Sequence, residues 1–245
     1  MRSFSPHRLL RSRVVAIDVV ENDGGNALVL PSTSAVLGFQ FRGRVRAGET
    51  TLARAGVTGL QGSARTYSYA GKTGSLLVRF TPQGAACLGV PAAALASRSV
   101  PLADLLPPAR IAEACERLQE APDDASRVAV IERFLMELPF ARDPLVTRAL
   151  EQLDGAHHEA AVAAVARALG TSERQLERRF LARIGVTPKR FALLRRFERA
   201  VAGAATAPSL AAAALDAGYY DQSHFIRDCR RFTGGAPGDL LVRAR

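Results

Sequence analysis

Arg174, Glu177 and Arg178 stand at i, i+3 and i+4. On a helix that spacing puts two guanidinium groups and a carboxylate on one face. Leu176 and Phe180 form a second i, i+4 pair, turned to the side where a core would lie. The chemistry open to the polar face is hydrogen bonding to base-pair edges: arginine donates to guanine O6 and N7 together, and a carboxylate accepts from cytosine N4. At an offset of 49 residues the matching positions hold Ser223, Ile226 and Arg227, with Gln222 and His224 alongside. The candidate base-contacting set is therefore Arg174, Glu177, Arg178, Gln222, Ser223, His224 and Arg227. A solvated surface charge is the plainer reading of each arginine. No Ser/His/Asp or Cys/His constellation and no phosphate loop competes with this chemistry. Cys87, Cys115 and Cys229 lie far apart with no CxxC spacing, and His7 is the sole histidine before residue 157. Neither catalysis, nor a cofactor, nor a metal site is expected from such a set.

Two short helices must hold those side chains, and the chain repeats a device that does so. Val162, Val165, Ala166 and Leu169 draw one helical face closed by Gly170; Leu210, Ala213, Ala214 and Ala217 draw the same face closed by Gly218. Each glycine is followed by an N-cap candidate, Ser172 and Asp221, and Gln175 stands at capping-box distance from Ser172. The helices that follow stay in register: Leu176 with Phe225, Arg178 with Arg227, Gly185 with Gly234, Pro188 with Pro237. Helix, glycine turn and capped helix make a helix-turn-helix, here twice over. An ordinary helical bundle with an old duplication has no need of arginine on the outer face of both second helices.

The stretch from Ser172 to Phe180 with Gly185 and Pro188, and the stretch from Gly218 to Phe225 with Arg231, Gly234 and Pro237, resemble the two halves of an AraC/XylS-type transcription regulator. The resemblance spans about residues 143–245. Cys229 departs from it, where the family usually buries phenylalanine, as does Leu240 in place of an aromatic. It implies a seven-helix domain whose two motifs, with recognition helices at 172–183 and 221–232, are joined by one long helix. Base contacts would lie on the faces named above. It further implies promoter DNA as partner, with RNA polymerase, a small-molecule effector in the N-terminal domain and a second copy of the chain as candidate partners, and a small cupin-like barrel in front.

The joining helix is legible. Thr187 can cap it with Pro188 at its first position, and Phe191, Leu194, Phe197 and Val201 give its buried face. Some 17 residues at 1.5 Å each span about 25 Å, enough to hold two recognition helices roughly one DNA turn, some 34 Å, apart. Lys189 and Arg190 in its first turn, and Arg230 and Arg231 at the end of the second recognition helix, are the candidates for phosphate contact. Arg195, Arg196 and Arg199 read as its wet side.

Ahead of this the chain changes character. Residues 1–80 hold ten of the twenty glycines, and Leu37 to Arg46 alternate with period two, as a half-buried strand does. Val14 to Val20, Tyr67 to Tyr69 and Leu76 to Phe80 read as further strands, Ile111 to Glu120 and Ser126 to Leu138 as helices. Gln40, Arg42, Arg44 and Arg46 would line a pocket for an acidic ligand if they shared a wall; a solvated strand face is the plainer reading. Cys87 and Cys115 suit buried structural thiols better than oxidant sensors, and His157 and His158 read as loop residues. Pro139 and the Asp143-Pro144 pair mark a boundary, giving a β-rich regulatory domain over 1–141 and a DNA-binding domain over 142–245. The expected class is α+β: a small barrel plus helices, then an all-α domain.

Composition agrees without deciding. With 33 Lys and Arg against 23 Asp and Glu, the 245 residues carry a net charge of +10, which suits a polyanionic partner. Both 1–80 and 157–245 carry +7 and the middle is acidic, so charge alone does not say which end meets the polyanion. Asp18 interrupts the apolar stretch after the N-terminal arginines, and no run is long enough to span a membrane; a reducing, cytoplasmic setting is expected. The leading function class is a sequence-specific transcription regulator under ligand control. An architectural DNA binder of low sequence preference is the alternative, for which the charge would suffice.

Overall fold

The alternating segments of the front half become ten strands, all paired antiparallel, in a computed structural model that describes residues 1–154 and 161–238. One sheet runs β1 (Arg2–Phe4), β2 (Val14–Asn22), β9 (Thr73–Phe80), β4 (Val36–Arg42), β7 (Ala55–Thr58), β10 (Ser99–Pro101). The other runs β3 (Gly25–Val29), β8 (Arg65–Tyr69), β5 (Val45–Ala47), β6 (Thr50–Thr51). The chain crosses between sheets at β2–β3, β3–β4, β4–β5, β6–β7, β7–β8 and β8–β9, so the two share corners.

One of those corners corrects the sequence reading. The single strand expected over Leu37 to Arg46 is two, in different sheets, broken at Gly43. That residue has φ +66°, and a Cβ there would lie 2.7 Å from the Lys72 carbonyl, so only glycine fits. Gln40 is buried beside the break, donating to the Ala53 carbonyl (2.8 Å) and accepting from the Val45 amide (3.0 Å). Arg42 leans on Glu21 (3.5 Å) and Arg46 donates to the Glu49 carbonyl (3.0 Å). Arg42, Arg44 and Arg46 are exposed, as on a solvated strand face.

The six-stranded sheet buries its apolar face under α2 (Pro108–Glu120) and α3 (Asp124–Met136), which follow the short α1 (Ala92–Leu95). Ile111, Ala114 and Leu118 of α2 and Val128, Ile131, Phe134 and Leu135 of α3 meet Ile17, Leu37, Phe39, Leu76 and Val78 there. Phe39 and Phe134 pack edge to face at 5.7 Å. Asp123 caps α3 through the Ser126 amide (2.8 Å), and buried Arg13 closes its other end on the Leu135 and Leu138 carbonyls (3.0 and 2.8 Å).

Where the sequence leads one to expect a boundary, Asp143 accepts from the Leu145 and Val146 amides (3.0 and 3.2 Å) and starts α4 (Pro144–Asp154). Then come α5 (Ala161–Ala168), α6 (Glu173–Arg183), α7 (Pro188–Gly203), α8 (Leu210–Asp216) and α9 (Gln222–Thr233). A seventh helix would lie beyond Pro237; its Leu240, like His157 and His158, falls outside the described residues. These helices enclose a second core of Val146, Leu176, Phe180, Phe191, Leu194, Phe197, Phe225 and Phe232. The front half enters it: Leu60 is buried among these residues, with Leu28 and Leu30 packed against them. Polar contacts reinforce the seam. Thr33 donates its amide and hydroxyl to the two Glu198 carboxylate oxygens (2.8 and 2.7 Å), and the Ala64 amide donates to the Phe232 carbonyl (2.7 Å).

Candidate nucleic-acid interface

Both repeats fold alike. Gly170 and Gly218 take left-handed φ of +64° and +89°, where a side chain would be strained. The turn after each closes on the preceding helix, Thr171 amide to Ala166 carbonyl (3.0 Å) and Tyr219 amide to Ala214 carbonyl (2.9 Å). Ser172 then caps α6 through the Gln175 amide (3.2 Å), and Asp221 caps α9 through the His224 amide (2.7 Å). Between the motifs Thr187 caps α7 through the Arg190 amide (3.3 Å), and its 16 residues span about 24 Å.

On α6 the core side is Leu176 and Phe180, both fully buried, while Arg174, Glu177 and Arg178 stand exposed together. On α9, Phe225, Cys229 and Phe232 face inward, and Gln222, Ser223, Arg227, Arg230 and Arg231 are exposed, with Ile226 half-buried among them. His224 stands apart from its sequence neighbours. Its ring meets Tyr219 edge-on at 5.1 Å, and Nε2 lies 3.4 Å from the Arg196 guanidinium, so it is turned toward the helix pair.

The phosphate candidates divide. Lys189 is exposed in the first turn of α7, and Arg230 and Arg231 are exposed at the end of α9. Arg190 is half-buried, donates to the Gly62 carbonyl (2.9 Å) and lies over the Phe232 ring at 5.0 Å. Burial, and then Arg231, pull its pKa below the ordinary arginine value. In this arrangement its guanidinium is held by the front half.

Sequence reasoning missed the groups that fasten the motifs to the frame. Arg195, Arg196 and Arg199 are not the wet side of α7. Arg196 is nearly buried, stacks over the Tyr219 ring at 4.4 Å and pairs with Asp228 (3.3 Å), which also accepts from the Tyr219 hydroxyl (3.1 Å). Burial and then the Asp228 charge push the Tyr219 phenol well above its ordinary range. Arg195 bridges Asp154 and Glu198 (2.8 and 3.0 Å), and Arg199 reaches the Asp154 and Ala217 carbonyls. A signal for this was present: Asp228 sits on the Phe225–Cys229–Phe232 face, where a carboxylate needs a buried cation. In the first motif Arg179 of α6 donates to both Asp143 carboxylate oxygens (3.0 Å each).

In the front half, burial pushes the Cys87 thiol up to about 11 and raises Cys115 as well. A redox-sensing thiol needs the reverse shift. Among the described residues no cluster of His, Cys, Asp or Glu is placed to hold a metal, and no helix is long and apolar enough to cross a membrane. A cleft of about 350 Å³ opens between β7, the end of β10 and α2, lined by Arg54, Pro101, Pro108, Ile111 and Cys115 among others.

Comparison with known proteins agrees with this geometry. Residues 165–243 match the family described as "Helix-turn-helix domain". No curated protein sequence matches the chain significantly. Among solved structures, ToxT from Vibrio cholerae at 1.65 Å resolution is similar in fold, with 11% identity and a TM-score of 0.52 over 93% of this chain and 97% of that one. Wild-type ToxT bound to an unsaturated fatty acid is similar at 10% identity and TM-score 0.51, covering 95% and 96%. ToxT bound to (E)-4-(8-methylnaphthalen-1-yl)but-3-enoic acid is similar at 12% and 0.51, covering 94% and 98%.

Proposed function

We propose that this chain, whose residues 165–243 are a helix-turn-helix domain of the AraC type, is a transcription regulator that reads two adjacent major grooves of promoter DNA with helices 172–183 and 221–232. It acts by binding, without catalysis. One observation carries the reading: two capped helices in one rigid frame expose Arg174, Glu177 and Arg178 on one and Gln222, Ser223 and Arg227 on the other, while their apolar sides are buried. Arginine and carboxylate at the front of such helices reach base edges; Lys189, Arg230 and Arg231 flank them as phosphate partners. Arg190 joins them once it leaves Gly62. His224, turned to Tyr219, reads bases only after rotating outward.

The likeness in fold to ToxT structures that hold carboxylic acids supports control by a small molecule. In this chain the front half packs directly on α7 and α9, so a ligand there has a physical route to the DNA-binding face. RNA polymerase and a second copy of the chain are further partners of this reading. The test is recovery of genomic fragments by the full-length chain against excess random competitor. Enrichment of a few sites with two half-sites about one turn apart is expected. Uniform recovery would favour the architectural binder that the +10 charge would equally serve.

A further inference from the structure

The residue just before each recognition-helix cap differs between the motifs. In the first it is Thr171, half-buried, its hydroxyl donating to the Gln175 side chain (3.0 Å). At the matching place in the second stands Tyr220, 88% exposed. Its neighbour Tyr219 takes the buried position, 3% exposed, so the turn puts one ring in and one ring out. The Tyr220 side chain makes no hydrogen bond and no ring contact with any described residue. A lone exposed apolar group is ordinary; the location of this one is not. Tyr220 borders exposed Gln222 and Ser223 at the tip of α9, on the edge that must approach DNA if α9 enters a groove.

We propose that Tyr220 is a backbone anchor of the second motif, its hydroxyl donating to a phosphate oxygen on the strand bordering the groove that α9 enters. The inference rests on the DNA-binding reading above. Tyr220 precedes the Asp221 cap, so it lies outside the helix that reads base edges and beside the turn that passes the sugar–phosphate strand. Tyrosine hydroxyls are among the donors that hold phosphates and set register without reading sequence. A hydroxyl donor holds a phosphate oxygen without adding a cation to the interface. The anchor suits a motif whose outer face offers only the short Ser223 and the half-buried Ile226 where the first offers Arg174 and Glu177.

The test uses the full chain, duplexes of about 30 base pairs of random and of selected sequence, and the variants Tyr220→Phe and Tyr220→Ala. Circular dichroism checks the fold, which an exposed side chain leaves intact. Tyr220→Phe is expected to weaken binding roughly 3- to 10-fold on both duplexes. The dependence on salt should be unchanged, because a neutral donor releases no counterion. In parallel, nitration followed by mass spectrometry should modify Tyr220 in the free protein and spare it in the complex. Unchanged affinity of Tyr220→Phe, or undiminished nitration of Tyr220 in the complex, overturns the anchor while leaving DNA binding in place. A loss confined to the selected duplex would make Tyr220 a base reader and overturns the backbone contact. Failure of the unmodified chain to retain either duplex overturns the DNA-binding reading itself.

Discussion

In the first helix-turn-helix unit the exposed face of the second helix carries Arg174, Glu177 and Arg178; at the matching places in the second unit stand Ser223, Ile226 and Arg227. The frames behind those faces are alike, down to the left-handed glycine, the turn hydrogen bond and the capping side chain. Positions that close the turn or meet the core have one physical solution and recur. Positions that face solvent have none imposed by folding, so they carry whatever partner each unit meets. Attachment differs as well. The second unit is fastened by Arg196, Asp228 and Tyr219, all nearly buried, and the first by Arg179, whose side chain is 40% exposed, on Asp143.

The sharpest way to break this contrast is at the fastenings. Asp228→Ala should cost about 3–5 kcal/mol, because it strands a buried guanidinium and a buried phenol. Arg179→Ala should cost less, about 1–2 kcal/mol, because its own end is 40% exposed and the buried Asp143 keeps the Leu145 and Val146 amides. Denaturant titration of both variants measures the difference, and equal losses would mean that the units are held alike.

Next in size is the effect of spacing. Inserting five base pairs, about half a turn, between half-sites of a selected duplex turns the second half-site away from α9. Affinity should fall by about 100-fold or more as one unit disengages. Retained affinity in a gel-shift titration would show that α7 does not hold the two units rigidly.

Individual readers come third. Arg178→Ala should weaken specific binding by roughly 1–3 kcal/mol and relax one base position. Arg227→Ala should do less, having fewer hydrogen-bonding neighbours on its face. Parallel binding isotherms on single-base variants of the site rank the two.

The last effect vanishes at neutral pH and grows only above about pH 9. Cys229 occupies the place that Phe180 holds in the first unit, and burial, then Asp228, push its thiol up to about 12 from an ordinary 9.0. Between those values the unfolded chain has lost the proton that the folded chain keeps. Stability therefore falls as pH rises from 9, by at most about 1.4 kcal/mol per unit. Cys87, raised to about 11 in the front-half core, adds to this fall up to that pH. Cys229→Ala should flatten part of the slope of melting temperature against pH, and an unaltered slope would exclude Cys229 as a cause.

How much of this the residues announced depends on range. The caps at Asp143, Ser172, Thr187 and Asp221, the glycine turns and the inward faces of α6 and α9 follow from spacings of three or four residues, and all are found in the structure. The break at Gly43 was hidden because alternation continues through it while the chain changes sheet. The role of Arg196 was hidden because its partners lie 23 and 32 residues away on other elements. Arg190 looked like a first-turn phosphate ligand, and only the fold shows Gly62 beside it.

Leu60 has a thermodynamic consequence. It is 4% exposed and buried among residues of the helical half, although it belongs to the strand-rich half. Residues 142–245 expressed alone would carry an apolar hollow where Leu60 sits, a loss of about 1.5–3 kcal/mol of burial. The intact chain cannot open either half without exposing a side chain that the other relies on, so melting should be a single cooperative transition. Hydrogen exchange in the strands near Leu60 and in α7 and α9 would then share one opening free energy, and whatever tightens the grip on DNA would slow exchange in the sheet.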